Sequence, residues 1–278
     1  MFLGTRVASI IAGNGYSPRG KYNGIAPETN ILAIKALNNE GSGNTSTIIK
    51  AISYVVENKE KYNTKILNLS IGSPTNNPCN KDPLCRAVTE AVDNGITVVV
   101  AAGNSGPNER TILSPGINPH VITVGAVDDK RTIDPTDDTI ANFSSRGPTN
   151  EGLLKPDIVA PGVNINSLSN TKLDGYSALS GTSMASPFIS GTVALLLNKY
   201  GDLEPKEIKK KLLNSCINIG DSRDAQGAGM LSLKLLFDEA GSDNKKYTHP
   251  KHIESKDSFF ENVIVFLTVL FLLDSPRN

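Results

Sequence analysis

The fold class is decided by residues 65–103, KILNLSIGSPTNNPCNKDPLCRAVTEAVDNGITVVVAAG. Two apolar runs, at 65–72 and 96–103, are rich in β-branched residues, as is typical of strands that are buried on both faces. Residues 83–94 between them have the amphipathic pattern of a helix, with a proline near its first position. Strand, helix and strand in this order predict a βαβ unit, in which the two strands lie parallel.

The alternation of strands and helices continues on both sides of this unit. Further elements are predicted as strands at 31–37 and 120–127, and as helices at 4–13, 45–62, 182–201 and 203–216. The helix at 4–13 carries apolar positions that need a sheet to cover them. The sequence therefore predicts an α/β fold with a three-layer, doubly wound parallel sheet.

The composition excludes several classes of protein. The chain has 278 residues, with 28 Lys and Arg against 28 Asp and Glu, so its formal net charge is zero and nucleic acid is not an expected partner. Its three cysteines, Cys79, Cys85 and Cys216, form no CxxC pair, so we expect reduced thiols rather than a zinc site, with a Cys79–Cys85 bridge left open. Residues 1–15 lack the regions of a signal peptide, which makes a cytoplasmic location the default expectation.

The character of the chain changes after about residue 238. We predict one domain over residues 1–238, a polar linker over 239–258 and an apolar C-terminal tail over 259–278. The most apolar part of the tail, 259–273, is short for a membrane span, which takes roughly 20 apolar residues, and Glu261 interrupts it. Two alternatives stay open for this part: a membrane span, or an interfacial or docked segment, which as a core helix would need a partner surface.

A serine, Ser183, stands at the start of the buried helix at 182–201, within GTSMASP (181–187). The unpaired N–H groups and the partial positive charge at a helix N-terminus favour a developing oxyanion. Serine also caps helices, and on its own the motif favours that structural role. It is not the GxSxG elbow of an α/β-hydrolase, because Ala185 occupies the position of the second glycine.

Other motifs in the chain favour the catalytic role. GTSMASP resembles the nucleophile block of the subtilase family of serine proteases, and AAGNSG (101–106) resembles its oxyanion block. Three further segments resemble family blocks in the family's order: NFSSRGP (142–148), KPDIVAPG (155–162) and GAGMLSL (227–233). The resemblance covers about residues 3–236. It implies a subtilisin-like fold and a serine endopeptidase that cleaves peptide bonds through an acyl-enzyme.

The resemblance also assigns roles to individual residues. Ser183 is the expected nucleophile, and the side-chain amide of Asn104 is expected to donate to the oxyanion, with a turn-stabilising role as its alternative. The polypeptide substrate is expected to lie as an extended strand between two edge segments. The residues implied in substrate binding are Gly41, Ser42 and Gly43 on one edge, Ser70, Ile71 and Gly72 on the other, and Ala101, Ala102 and Gly103 in the primary specificity pocket.

Two members of the family's catalytic triad are not found. In LGTRVA (3–8) Leu3 stands where the family has its histidine, and leucine cannot accept a proton. The triad aspartate normally lies further upstream, and no downstream acid replaces it, so we expect the sheet to lack its first strands. Three hypotheses stay open: a peptidase truncated at its N-terminus, a pseudo-protease that binds extended peptides, and a fragment without a stable fold.

Neither a cofactor nor a metal is expected. Structural calcium is common in the family, but residues 14–23, NGYSPRGKYN, contain no Asp or Glu. Calcium prefers carboxylate and carbonyl oxygens, so this loop is a poor site for it.

Overall fold

Strands and helices alternate throughout the residues that the computed structural model describes, which are 3–16, 22–38, 41–169, 175–238 and 263–267, the last as backbone. The helices are α1 (Leu3–Ala12), α2 (Thr45–Glu57), α3 (Lys59–Tyr62), α4 (Pro83–Asp93), α5 (Thr182–Tyr200), α6 (Pro205–Asn214), α7 (Arg223–Gln226) and α8 (Leu233–Phe237). The strands are β1 (Asn30–Ile34), β2 (Thr64–Leu69), β3 (Thr97–Ala101), β4 (Ile122–Asp128), β5 (Thr139–Ile140), β6 (Ile158–Pro161), β7 (Ile165–Leu168), β8 (Tyr176–Leu179), β9 (Cys216–Ile217), β10 (Met230–Leu231) and β11 (Val263–Leu267).

The main sheet has the strand order β1-β11-β2-β3-β4-β6-β10-β9, with β5 paired to β4. Its strands from β1 to β10 in this order are parallel. The β10–β9 and β4–β5 pairs are antiparallel, and β7 and β8 form a separate antiparallel hairpin. The mainly parallel sheet confirms the predicted α/β fold class.

Helices cover both faces of this sheet. On one face, α1 and α5 pack in a cluster with Ile66 of β2 and Val99 of β3. On the other, α2 and α4 pack in a cluster with Leu67 and Val98 of the same strands. Successive side chains of a strand point to opposite faces, so β2 and β3 each supply apolar side chains to both clusters. The three predicted layers are therefore present, and α1 is covered by α5 as well as by the sheet.

Most predicted elements form close to their expected bounds. The helix predicted at 45–62 is instead divided at Asn58 into α2 and α3, and α3 ends at Asn63, which has the left-handed φ of 46° that asparagine tolerates at a helix end. All three cysteines are free thiols, so the Cys79–Cys85 bridge is not formed.

Part of the apolar tail belongs to the sheet. The strand β11 lies between β1 and β2 and runs parallel to both, so residues 263–267 pack on the protein as a strand and not as the helix that the docked alternative expected. No helix in the described part of the chain is long and apolar enough to cross a membrane. The predicted linker at 239–258 and the rest of the tail lie outside the described residues.

A buried ion cluster fixes α6 against the sheet. The Lys155 side chain is 2% exposed, and its Nζ lies 2.6 Å from Asp157 Oδ2, while Lys209 Nζ of α6 lies 2.8 Å from Asp157 Oδ1. The backbone N–H of Thr123 donates to the same carboxylate at 2.7 Å. Burial by itself raises the pKa of Asp157, but the two lysines outweigh it and hold the pKa below its ordinary value. Burial lowers the pKa of Lys155 to about 8.

The variant Asp157→Asn is expected to lower the free energy of unfolding by about 3–5 kcal/mol, because it leaves the buried Lys155 without a counter-charge. Urea unfolding at several pH values measures this loss. The pKa of Asp157 is depressed in the folded state, so its stabilisation is present above the unfolded pKa of about 3.9 and is lost as the pH falls through the folded value. The difference between wild type and variant should therefore shrink below about pH 4.

The matched control is Lys130→Met, which breaks the exposed ion pair between Lys130 and Asp128. It should change the free energy of unfolding by less than about 1 kcal/mol, since exposed pairs contribute little. A similar loss in both variants would contradict a special role for the buried cluster.

Candidate active site

Ser183 is the second residue of α5 and is half-buried in a cleft of about 510 Å³. The start of α5 meets the segments that follow β2 and β3, at the carboxyl edge of the parallel sheet. The Ser183 hydroxyl donates to the backbone carbonyl of Ser70 at 3.4 Å. The Ser183 N–H lies in the first turn of the helix, where N–H groups have no intrahelical acceptor, so it can donate to an oxyanion formed beside its own hydroxyl.

Asn104 is oriented by the residue that precedes the predicted nucleophile. Its Oδ1 accepts hydrogen bonds from the Thr182 N–H at 2.9 Å and from the Thr182 hydroxyl at 3.0 Å. The Thr182 hydroxyl in turn accepts from the Gly103 N–H at 3.2 Å. These bonds engage the amide oxygen and leave Asn104 Nδ2 without an acceptor among the described residues, as an oxyanion donor requires. These hydrogen bonds join Asn104, which follows β3, to the start of α5. A residue that only stabilises its own turn would bond within that turn, so the bonds do not support the turn-stabilising alternative.

The cleft brings together all but one of the residues expected to bind substrate. It is lined by Gly41, Ser42, Gly43, Ser70, Ile71, Gly72, Ala101 and Gly103, together with Asn104 and Ser183. Ala102 is the exception and is not among the lining residues: its side chain is fully buried with Cys85, Ile112 and Ile117. Side chains alternate along extended backbone, so Ala102 faces the core while its two neighbours face the cleft.

The loop at one edge of the cleft keeps main-chain groups available. Asn38 closes this loop, because its Oδ1 accepts from the Ser42 N–H at 3.0 Å and its own N–H donates to the Ser42 carbonyl at 2.7 Å. The carbonyl of Gly41 and the N–H and carbonyl of Gly43 make no hydrogen bond to the described residues. Such groups can pair with an extended peptide as a neighbouring strand would.

Two of the glycines are required by packing as well as by substrate access. A Cβ added at Gly72 would lie 2.7 Å from Leu113 Cβ, and one added at Gly103 would lie 2.7 Å from Leu113 Cγ. Gly103 also has a φ of +110°, which residues with a side chain rarely adopt. Leu113 thus fills the space beside both segments, so its packing leaves no room for a side chain at either glycine.

A buried polar network beneath Ser183 was not predicted from the sequence. Asn68 Nδ2 donates to Ser70 Oγ at 3.0 Å, and Ser190 Oγ donates to Asn68 Oδ1 at 2.8 Å. The hydroxyls of Ser70 and Ser186 lie 3.0 Å apart. The available signal was the spacing of Ser186 and Ser190, which are one turn apart on a mostly buried helix. This network joins β2 to α5 directly below the predicted nucleophile.

Pro187 contributes to the same junction. It lies inside α5 and has no N–H, so the carbonyl four residues earlier, that of Ser183, lacks its helical donor. The Ser70 hydroxyl approaches that carbonyl at 3.4 Å. The proline therefore opens a main-chain acceptor that the end of β2 can reach.

The structure places no histidine beside Ser183 within the described residues. Leu3 lines the same cleft as Ser183. His120 precedes β4 and so lies at the amino edge of the sheet, opposite the cleft, while His249 and His252 lie outside the described residues. The described residues also contain no cluster of three potential metal ligands, although 17–21 of the loop at 14–23 are not among them.

Known proteins resemble this chain in both sequence and fold. A family model described as the Subtilase family matches residues 4–245. The chain is 45% identical over 228 residues to Serine protease AprX of Bacillus subtilis (strain 168), covering 76% of this chain and 52% of the relative. It is 38% identical over 203 residues to Subtilisin DY of Bacillus licheniformis, covering 72% of this chain and 65% of that relative.

Solved structures give the same result. S41 Psychrophilic Protease superposes with a TM-score of 0.73 at 30% identity, covering 84% of this chain and 78% of that one. The prenylagaramide maturation protease PagA superposes with a TM-score of 0.70 at 29% identity, covering 85% and 82%. The chain spans about half the length of AprX and about two thirds of that of Subtilisin DY. From its motifs, its fold and these matches, the chain belongs to the subtilase family.

Proposed function

We propose that this chain carries the nucleophile and the oxyanion donors of a serine endopeptidase that cleaves polypeptides through an acyl-enzyme at Ser183. The observation that carries the proposal is the pair of hydrogen bonds from Thr182 to Asn104 Oδ1, at 2.9 and 3.0 Å. They fix the Asn104 amide beside Ser183 with its N–H groups unused by the described residues. Family membership and the named relatives support the same reaction.

In the proposed reaction an extended peptide lies between the segments at 41–43 and 70–72. The Ser183 hydroxyl loses its proton to a base while its oxygen bonds to the carbonyl carbon. The carbonyl electrons move onto the oxygen, where Asn104 Nδ2 and the Ser183 N–H stabilise the negative charge. The C–N bond then breaks, the amine leaves with the proton, and water releases the acyl group in a second step.

The described residues do not supply the group that would accept the proton of Ser183. Leu3 lines the cleft beside Ser183 and cannot accept a proton. Peptide binding without cleavage uses the same cleft and differs from hydrolysis only in this step. The two functions are therefore separated by measuring how reactive Ser183 is and how that reactivity responds to a base at position 3.

The purified 278-residue chain is expected to react slowly with a fluorophosphonate probe, because no base among the described residues activates Ser183. The variant Leu3→His should increase the second-order rate of Ser183 labelling by roughly 10- to 100-fold. That range is the ratio of two rate losses in subtilisin, a relative: the loss when the base is removed and the smaller loss when only the orienting aspartate is removed. The rate should rise with pH through about 6.5, since only neutral histidine accepts a proton.

Two controls accompany this measurement. Leu3→Gln offers a polar side chain of similar size that is not a base, and it should leave the rate unchanged. Ser183→Ala should abolish labelling in every background. Rapid labelling of the unaltered chain would show that another base serves Ser183, and equal rates in the two Leu3 variants would exclude position 3 as the site of the base.

In the Leu3→His background, Asn104→Ala is expected to lower the rate of acylation by an ester substrate by roughly 10²–10³-fold, with little change in substrate affinity. The range is that measured on the corresponding donor of subtilisin. Stopped-flow measurement over a range of ester concentrations separates the two quantities. Asn108→Ala, an exposed asparagine of the same loop, is the matched control and should change neither. A loss confined to affinity would instead indicate that Asn104 only shapes the loop.

A further inference from the structure

The strand β11 is the last of the described strands along the sequence, yet it lies inside the sheet. Its register pairs Asn30 with Val263 and Ile34 with Leu267 on the β1 side. On the β2 side it pairs Ile66 with Ile264 and Leu69 with Leu267, after a shift between Val263 and Ile264. It is therefore an inner strand with a hydrogen-bonded neighbour on each side, and β1 and β2 do not pair with each other.

Leaving the position between β1 and β2 empty would cost free energy of folding. Neighbouring strands lie about 4.8 Å apart, so β1 and β2 are separated by roughly twice that distance. Without a strand between them, each would present a row of unpaired N–H and carbonyl groups to the other. Ile66, Leu67 and Leu69 of β2 are fully buried, so the β2 edge lies deep in the domain. Unpaired backbone groups in such a place are strongly unfavourable.

The sequence of β11 suits an inner strand. Residues 263–267 are VIVFL, an uncharged run with three β-branched residues. Strands of a parallel sheet that is covered on both faces are typically apolar in this continuous way. The preceding residues 239–262 could extend roughly 80 Å, which exceeds the width of a domain of this size, about 45 Å. The chain is therefore long enough to bring its own segment to this position.

We propose that the slot between β1 and β2 is a strand-binding site, and that the chain's own segment 263–267 fills it as a parallel strand. The slot lies directly below the cleft. Gly41, Ser42 and Gly43 follow β1 in the sequence beyond its carboxyl end, and Ser70, Ile71 and Gly72 follow that of β2. The inserted strand thus sets the separation of the two walls between which a peptide would lie. This inference concerns folding of the sheet and does not depend on hydrolysis.

Hydrogen exchange of the full chain, followed by mass spectrometry, tests the insertion. In the wild type, amides in 263–267 should be protected at least about 10-fold relative to those of an unstructured chain, because each N–H of an inner strand is bonded. Val265→Pro removes a donor from the middle of the strand, which an inner strand does not tolerate. It should speed exchange in β1, β2 and 263–267 by at least about 10-fold and leave β4 and β6 unchanged.

The control is Ser255→Pro, which places the same residue outside β11 and should leave all these rates unchanged. Unprotected amides at 263–267 in the wild type, or Val265→Pro exchange equal to that of the wild type, would overturn the proposal. Because Val265→Pro could also unfold the whole domain, a second measurement locates the segment without disturbing the strand.

This second measurement is a cross-link. Leu32 and Val265 are paired in the parallel register, so cysteines at these two positions should be joined by dibromobimane, a bridge of short reach, within one chain. Leu32→Cys alone is the control and should not cross-link to the native Cys216, which lies in β9 at the opposite end of the sheet. Mixing isotopically labelled with unlabelled protein identifies the source of the strand. Cross-links within one chain support the proposal, whereas mixed-isotope cross-links, which mean a strand from a second copy, or no 32–265 cross-link at all, overturn it.

Discussion

The hydroxyl contact between Ser70 at the end of β2 and Ser186 in α5 holds the two halves of the candidate site in one position. The hydroxyls lie 3.0 Å apart in a region closed to water. Asn68 Nδ2 donates to the Ser70 hydroxyl, and the Ser190 hydroxyl donates in turn to Asn68 Oδ1. A buried hydroxyl without a partner would cost free energy, so this network fits one relative position of strand and helix and resists others. An apolar contact in the same place would allow the helix to slide by a fraction of a turn.

This junction determines the geometry above it. Ser183 lies one turn before Ser186, so its hydroxyl and its N–H are carried by the same rigid helix. The adjacent Thr182 binds the Asn104 side chain and the Gly103 N–H, which attaches the end of β3 to the helix as well. Three separate segments of the chain, the ends of β2 and β3 and the start of α5, are therefore joined by hydrogen bonds beside Ser183. Such preorganised donors are the ones that stabilise developing charge most effectively.

Under the proposed function, oxyanion stabilisation and proton transfer are separable in this cleft. The expected donors, Asn104 and the Ser183 N–H, border the cleft together, while the position beside Ser183 is lined by Leu3. In subtilisin the oxyanion donors and substrate binding retain roughly 10³–10⁴-fold catalysis when the triad is removed, and the same separation is what the proposal expects of this cleft. The ion cluster at Asp157 lies at the other edge of the sheet. It stabilises the fold on which the cleft depends without taking part in the chemistry.

The sequence by itself determined the fold class, most strand and helix bounds, and the roles expected of Ser183 and Asn104. It could do so because continuous β-branched runs, amphipathic stretches and the GTSMASP and AAGNSG motifs are local patterns that one segment displays alone. The burial of Ala102, the packing of Leu113 against Gly72 and Gly103, and the network from Asn68 to Ser190 were decided only by the tertiary structure. Each depends on which residues distant in sequence become neighbours. The apolar segment at 263–267 shows the difference most clearly: its composition fits a membrane contact and a strand equally well. Only the tertiary structure brings it between β1 and β2, where an extended backbone pairs with the edges of both strands.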